Sequence, residues 1–180
     1  MIETRRLLIR DVEPADAAAF CAYMAAQDYW QHLPIETPGA AQVRELIERC
    51  QRDRAASPRD NYFMAAVLKE TGELVGEAIL RIASRRHRQG EIGWGVDRRY
   101  SGRGIATEIG RALLGFGFDT LGLHRIFGQC RQENLASQRI MEKLSMREEG
   151  VIREHIRARG EWWSSSQWSI LDREFLRVPD

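Results

Sequence analysis

A glycine-containing turn between a strand and a helix is the feature that most constrains this chain. The turn is Arg99-Tyr100-Ser101-Gly102-Arg103-Gly104; a strand-like alternating run (91–96) precedes it and a helix-like run (about 107–119) follows it. Glycine lets the backbone approach an anion closely, and the first N–H groups of a helix point at such an anion. The pattern therefore predicts a phosphate-binding turn, although glycines at this spacing also fit a tight connection without a ligand.

Two other glycine-rich nucleotide motifs do not fit this turn. A dinucleotide-binding fold has three glycines within a parallel strand–helix–strand unit, whereas the runs 62–69 and 74–82 before the turn indicate an antiparallel hairpin. A nucleoside-triphosphate loop has Lys-Ser/Thr after its last glycine, where this chain has Ile105-Ala106. Neither class of nucleotide site is expected.

The strand before the turn has one nearly bare face. Strand alternation places Glu91, Gly93 and Gly95 on the same face. Two glycines there leave a strip on which an extended ligand, another backbone or a packed helix can lie closely. The sequence leaves these alternatives open.

Composition and charge limit the partners of the chain. Its 180 residues, with a hydrophobic fraction of 43% and a charged fraction of 29%, predict one globular domain over 1–180. The formal net charge is +1 and the basic stretches are short and separated, so no nucleic-acid partner is expected. The first residues lack the apolar run of a signal peptide, and the longest apolar stretch (17–26) is too short to cross a bilayer.

The three cysteines, Cys21, Cys50 and Cys130, are far apart and lack metal-ligand spacing. They predict reduced thiols, as in a cytoplasmic protein without a metal or a membrane partner.

The order of the predicted elements defines the fold class. It is a strand, two helices, three strands, a helix, a strand, a helix and two strands, which predicts an α+β or mixed α/β domain around one sheet. Outside the runs above, the predicted ranges are 4–10, 14–27, 41–56, 125–130, 134–144, 146–156 and 161–171.

Three motifs together resemble one enzyme family. Arg99-x-x-Gly102-x-Gly104 is similar to the Gln/Arg-x-x-Gly-x-Gly/Ala acetyl-CoA motif of the GNAT N-acetyltransferase superfamily, and residues 100–108 resemble its RimJ/RimL-like branch of protein N-terminal acetyltransferases. Residues 4–10 resemble the opening Thr-x-Arg-Leu-x-Leu-Arg strand of that branch, and residues 134–144 its Asn-x-x-Ser…Lys-Leu helix. The resemblance implies a GNAT fold: a mostly antiparallel seven-stranded sheet, flanked by about four helices and splayed between the fourth and fifth strands.

The chain departs from this branch at two places. Ser145-Met146 stands where the family usually has Gly-Phe, and serine tolerates a left-handed turn less well than glycine. Ser164 follows Trp162-Trp163 where the branch often has an aromatic residue and then Asp, which puts the acceptor class in doubt.

The resemblance implies acetyl transfer from acetyl-CoA to a primary amine by direct attack on the thioester, without a metal. The pyrophosphate would lie on N–H groups of the turn, and the pantetheine would lie along the strand 91–96, in the gap toward 125–130. The implied coenzyme-binding residues are Val96, Arg99, Gly102, Arg103, Gly104, Ile105, Ala106, Thr107 and Asn134. From the residues alone Asn134 is first of all a helix N-cap, and the two roles are compatible.

Three residues are candidates for proton transfer. The resemblance implies that the hydroxyl of Ser137 protonates the leaving thiolate, although Ser137 also fits a hydrogen bond within its own helical turn. Glu91 is the first candidate for the base and Glu154 the second, and either also fits an ordinary solvated or ion-paired carboxylate. Cys130 fits a buried structural thiol better than an acyl-enzyme nucleophile.

The expected acceptor is the α-amino group of a protein or peptide. Its pKa is near 8, so its deprotonation at pH 7.4 costs less than about 1 kcal/mol, against about 4 kcal/mol for a lysine amine. The alternatives are a small amine, such as a polyamine, an amino acid or an amine-bearing toxin, and a non-catalytic acyl-CoA-binding module. The sequence allows a monomer or a homodimer.

Overall fold

The computed structural model describes residues 1–35 and 39–176, and these contain one sheet of eight strands. The strands are β1 (Ile2–Glu3), β2 (Leu7–Asp11), β3 (Asn61–Leu68), β4 (Leu74–Ser84), β5 (Gln89–Val96), β6 (Arg125–Arg131), β7 (Arg147–Ala158) and β8 (Glu161–Leu171). Their order is β1-β2-β3-β4-β5-β6-β8-β7. Neighbouring strands are antiparallel except β5 and β6, which run parallel.

Helices cover parts of both faces of the sheet. They are α1 (Ala17–Met24), α2 (Gln27–Trp30), α3 (Ala40–Ala55), α4 (Ile105–Gly115) and α5 (Leu135–Lys143). Single 3₁₀ turns lie at Pro14–Asp16, Arg98–Tyr100 and Asp172–Glu174, and a π-helical turn, Phe116–Thr120, extends α4. None of the described helices combines the length and apolar character that a membrane span requires.

The hydrophobic core is divided by the sheet. On one face, the stripe Ile105, Ile109 and Leu113 of α4 is buried with α5 residues against β2 to β6 and β8. On the other face, α1 and α3 bury Phe20, Val43 and other side chains against β3 and β4. The helical spacing of these apolar residues is what directs each helix to the sheet.

The sheet splays between β5 and β6. The two strands are paired at only three positions, Gln89 with Arg125, Gly90 with Ile126 and Glu91 with Phe127. Pairing then stops, although β5 stays paired to β4 as far as Val96 and β6 stays paired to β8 as far as Arg131. A gap therefore opens toward the carboxyl ends of both strands.

The predicted fold class and splay are confirmed, with one correction to the strand count. The sheet has eight strands instead of seven because Ile2 and Glu3 pair with β2. Because β1 adds one to the number of every later strand, the splay predicted between the fourth and fifth strands is the one observed between β5 and β6.

Several predicted boundaries also need correction. The opening strand is 7–11, not 4–10, and the helix predicted at 14–27 is a 3₁₀ turn followed by α1, which ends at Met24. The helix predicted at about 107–119 begins at Ile105, because Gly104 already acts as its N-cap.

Candidate active site

The glycine turn has the backbone conformation that the sequence predicts for an anion site. Gly102 and Gly104 have φ angles of +75° and +76°, in the left-handed region that strains other residues. The first hydrogen bond of α4 joins the Glu108 N–H to the Gly104 carbonyl at 3.1 Å, and the N-cap residue, Gly104, has no side chain that could cap the helix. The N–H groups of residues 105–107 therefore have no intrahelical acceptor, and they suit the phosphates of a nucleotide coenzyme.

The cations of the turn are held by neighbouring groups. Arg99 donates to Asp97 at 2.7 Å and approaches Glu73 at 3.1 Å, while two thirds of its side chain (67%) stays exposed. This hydrogen bond from Arg99 lowers the pKa of Asp97. The Arg103 guanidinium packs over the Tyr100 ring at 5.3 Å. The turn thus carries two guanidinium groups whose positions are set by Asp97, Glu73 and the Tyr100 ring.

The opening segment of the chain holds this turn from behind. Glu108 accepts hydrogen bonds from the Thr4 hydroxyl (2.6 Å) and from the backbone and side chain of Arg6 (2.9 and 2.7 Å). Arg6 also donates to the Arg103 carbonyl at 2.8 Å. Partial burial acts to raise the pKa of Glu108, but the bonds from Thr4 and Arg6 lower it. Two of the three predicted motifs, the opening segment 4–10 and the segment 99–108, are therefore hydrogen-bonded to each other.

The β5 edge of the gap presents unpaired backbone groups. The Asp97 N–H donates to the Val75 carbonyl at 2.8 Å, on the β4 side. Strand alternation then turns the N–H and C=O of Val96 toward the gap. This orientation suits hydrogen bonds to an extended amide-containing ligand lying along β5.

The face of β5 that the sequence suggests is bare is occupied at Gly95. The carboxyl group of Glu77, from the neighbouring strand β4, lies over this glycine, and a Cβ at position 95 would be 2.3 Å from Glu77 Oε1. The absence of a side chain at Gly95 therefore accommodates Glu77. Over Gly93 a Cβ would meet only Ile79, at an ordinary 3.9 Å. Glu77 therefore covers the predicted bare strip at Gly95, and a ligand along β5 stays a prediction.

Glu77 is the polar residue of the site that the sequence analysis missed. It is 2% exposed; Oε1 accepts from the Tyr29 hydroxyl at 2.9 Å, and Oε2 has no hydrogen-bond partner among the described residues. Burial raises its pKa to about 8. The available signal was an acidic residue inside the otherwise apolar run 74–80.

Other predicted residues gather around the gap. Glu91, half-buried, belongs to the last β5–β6 pair before the gap opens. Asn134 caps α5 by accepting the Ser137 N–H at 3.1 Å, which confirms its predicted capping role. Because β5 and β6 are parallel, the glycine turn after β5 and the start of α5 after β6 lie at the same edge of the sheet.

Glu154 and Cys130 are placed differently from these residues. Glu154 is exposed on β7, an edge strand that β8 and β6 separate from the gap, and its N–H donates to Ser164 Oγ at 3.0 Å. Burial raises the pKa of the Cys130 thiol to about 11, which opposes formation of a thiolate. Within the described part of the chain, no three His, Cys, Asp or Glu side chains are grouped as metal ligands.

Comparison with known proteins places this geometry in a family context. Residues 6–147 match a family model described as an acetyltransferase (GNAT) domain. The chain is 30% identical over 174 residues to the uncharacterized N-acetyltransferase YnaD of Bacillus subtilis, covering 97% of this chain and 98% of that protein. The structure of a GNAT-family acetyltransferase from Bacillus anthracis superposes with a TM-score of 0.85 at 31% identity, over 96% of this chain and 99% of the other.

Two further relatives bear on the coenzyme and on the acceptor. RimJ of Mycobacterium smegmatis, solved in complex with CoA-disulfide, has a TM-score of 0.82 and 26% identity, over 93% of this chain and 83% of that one. The spermidine N(1)-acetyltransferase of Escherichia coli is 24% identical over 148 residues, covering 82% of this chain and 75% of that protein. Resemblance alone therefore leaves the acceptor of this chain undecided.

Proposed function

This chain belongs to the GNAT acetyltransferase family, and from that membership we propose that it acetylates the α-amino group of a protein or peptide, with acetyl-CoA as the donor. The observation that carries the proposal is the glycine turn at the open end of the β5–β6 gap. The turn offers donors for a pyrophosphate, and the gap offers a strand edge for the pantetheine arm.

The coenzyme-binding residues that we propose are those at the turn and the two ends of the gap. They are Val96, Arg99, Gly102, Arg103, Gly104, Ile105, Ala106, Thr107 and Asn134. The N–H groups of α4 and the cations Arg99 and Arg103 would balance the phosphate charge. When bound, the coenzyme supplies an acetyl group activated as a thioester.

We propose Glu91 as the base and Ser137 as the acid of the reaction. Glu91 lies where the gap begins, so that its carboxylate can take up the proton that the acceptor amine must lose. Ser137 lies in the first turn of α5, at the edge of the gap, where its hydroxyl can supply a proton to the departing sulfur. Glu154 is the weaker alternative for the base because two strands separate it from the gap.

The charge at the hairpin side of the gap favours a peptide acceptor over a polyamine. Arg131 and Arg159 both stack on Trp163, at 4.1 and 5.1 Å. Arg131 is paired with Glu133 at 2.7 Å, whereas Arg159 donates to backbone carbonyls, which carry no net charge. The Arg159 guanidinium, which makes no ion pair with a carboxylate among the described residues, would repel the additional charges of a polycation, which a peptide amine does not carry.

Small-amine acetylation is the second candidate, and the spermidine-acetylating relative supports it. A non-catalytic acyl-CoA-binding module is the third, and the arrangement of Glu91 and Ser137 at the gap argues against it. We also propose that the protein acts in the cytoplasm, as a monomer or a homodimer.

The first experiment measures acetyl-CoA-dependent thiol release with short peptides carrying a free α-amino group, with spermidine and with free amino acids, alongside calorimetric binding of acetyl-CoA. Turnover on peptides supports the proposed acceptor, and turnover on spermidine alone replaces it with the small-amine candidate. Binding without turnover on any amine supports the binding module.

Substitution of Gly104 tests the position of the coenzyme. Gly104→Trp should lower acetyl-CoA affinity at least tenfold, a loss of about 1.4 kcal/mol, because the indole would fill the space in front of the α4 N–H groups. The matched control is Gly122→Trp, another left-handed glycine (φ +64°), whose Cβ would meet nothing within 4 Å; a Cβ at Gly104 would meet only the end of the Arg6 side chain, at an ordinary 3.6 Å. Equal coenzyme affinity in the two folded variants would contradict the placement of the pyrophosphate.

A further inference from the structure

Residues 29–35, termed the strap, run from α2 across one face of the sheet. At one end of the strap, the Tyr29 hydroxyl donates to Glu77 of β4, beside Gly95 of β5. The Tyr29 ring packs edge-on against Tyr23 of α1, with 4.9 Å between the ring centroids. This end of the strap is therefore fixed on the β5 side of the gap.

The Arg159 side chain holds the rest of the strap. Its guanidinium donates to the carbonyls of Gln31 (3.2 Å), Leu33 (2.9 Å) and Ile35 (3.1 Å), and also to that of Trp30. The same guanidinium lies between two indoles, 4.5 Å from the Trp30 ring and 5.1 Å from the Trp163 ring. The planar fork of arginine suits several carbonyls and two stacked rings at once, which a lysine ammonium does not.

Arg159 is presented from a tight turn at a cost in backbone energy. Ala158 pairs with Glu161, so Arg159 and Gly160 alone connect β7 to β8, and their φ angles are +51° and +79°. Such two-residue hairpin turns favour Asn or Gly at both positions. Arginine in the left-handed region is strained, and strain of this kind is retained where another interaction requires the residue.

The strap crosses the mouth of the β5–β6 gap. Its first contact is with β4 and its last contacts are with the β7–β8 turn, and β5, β6 and β8 lie between these strands in the sheet. His32 of the strap lies near the end of β6: burial and then the charge of Arg131 lower its pKa, the charge of Glu133 opposes this, and the charge of Arg159 lowers it further. An acceptor that approaches the gap from this face must pass the strap.

We propose that Arg159 is a specificity-determining residue that acts through the strap: by clamping residues 30–35 against Trp163, it fixes the opening through which the acceptor amine reaches the gap. This proposal rests on the proposed acetyltransferase function. It assigns Arg159 a positioning role on the acceptor side and no role in coenzyme binding.

The test compares Arg159→Ala and Arg159→Lys with Arg157→Ala, a control of the same charge on the same strand. Steady-state kinetics would use the best peptide acceptor of the unmodified chain and, separately, acetyl-CoA as the varied substrate. Hydrogen exchange of residues 29–35 would report the clamp without any need for activity. The clamped strap forms the opening that admits the acceptor; if the strap of Arg159→Ala holds that position only about a tenth of the time, the acceptor KM rises about tenfold.

The expected result is faster exchange in the strap and an acceptor KM raised about tenfold, with the KM for acetyl-CoA unchanged; Arg159→Lys should lie between and Arg157→Ala should match the unmodified chain. Unchanged exchange in Arg159→Ala would overturn the clamp. Faster exchange with an unchanged acceptor KM would reduce Arg159 to a structural role and also overturn the proposal.

Failure of the proposed function has a different signature. If the unmodified chain acetylates no amine, the acetyltransferase proposal falls, and peptide binding to the CoA-loaded chain replaces KM. Weaker peptide binding in Arg159→Ala than in Arg157→Ala would then still support the clamp, and equal binding would overturn it.

Discussion

Ser145 adopts a left-handed backbone conformation, with φ at +60°. It lies just after α5, where the Ser145 N–H donates to the Glu142 carbonyl and the Met146 N–H donates to the Met141 carbonyl. These are the paired bonds of a Schellman motif, with the left-handed residue at 145 and buried Met146 as its hydrophobic contact. The departure from Gly-Phe thus keeps the hydrophobic residue and accepts strain at the serine.

Replacing Ser145 by glycine should stabilise the protein. The left-handed conformation costs a non-glycine residue about 1–2 kcal/mol, which glycine would avoid. The greater flexibility of glycine in the unfolded chain offsets about 0.5–1 kcal/mol of that gain. We expect Ser145→Gly to raise the free energy of unfolding by about 0.5–1 kcal/mol, measured by urea denaturation. Ser145→Ala is the control, because it removes the hydroxyl and keeps the strain; an equal gain in both variants would contradict the backbone explanation.

Helix α4 contains a glycine that contacts the end of α5. A Cβ at Gly110 would lie 2.5 Å from Leu144 Cδ1 and 3.4 Å from the Trp94 ring. Leu144 and Gly110 are both buried, so the surrounding core leaves no space into which α4 or the end of α5 could shift. Since α4 begins at the glycine turn and α5 begins at Asn134, this close contact fixes the relative position of the two coenzyme-side elements.

Two glycines of α4 should respond oppositely to alanine. Where a helix has space for the added methyl group, replacing Gly by Ala raises the free energy of unfolding by up to about 1 kcal/mol. Gly115→Ala should show such a rise, because its Cβ would meet only Asp119, at 3.9 Å. Gly110→Ala should instead lose about 1–3 kcal/mol through overpacking against Leu144. Thermal denaturation of both variants tests this, and a stabilised Gly110→Ala would show that the helices separate freely.

At the scale of the whole molecule, the sheet keeps a carboxylic acid away from water. Glu77, on β4, is enclosed by β5 and α2. Its carboxyl group has an ordinary pKa of 4.5, which applies to the unfolded chain, and a pKa of about 8 in the folded chain, so at a pH between these values only the folded chain keeps the proton. Between these two values the unfolded state binds fewer protons, so the contribution of Glu77 to stability falls as the pH rises. The contribution is fully present below pH 4.5 and lost above about 8.

Glu77→Gln should remove this pH dependence. We compare the free energy of unfolding of the unmodified chain with that of Glu77→Gln at each pH. The difference should shift against the unmodified chain by a few kcal/mol between pH 5 and pH 8, roughly 1.4 kcal/mol per pH unit. Urea denaturation at several pH values measures the difference, with Glu70→Gln on the exposed β3–β4 turn as the control. Parallel pH profiles for the unmodified chain and Glu77→Gln would contradict a protonated Glu77.

The sequence alone determined the features that depend on neighbours along the chain. The glycine turn, the Asn134 cap and the strand 161–171 were predicted correctly because φ preferences, capping and alternation are local properties. The fold class and family followed from three local motifs in their order. The catalytic assignments of Glu91, Ser137 and Glu154 remain predictions.

Contacts between residues that are distant along the chain follow from how the elements pack. Glu77 lies over Gly95 because β4 and β5 pair in one register, and a shift by one residue would turn it to the other face. Arg6 meets Glu108 from 102 positions away, and Arg159 reaches the strap across more than 120 positions. Hydrophobic periodicity specifies which side of an element is buried but not which element covers it, and these contacts depend on the second choice.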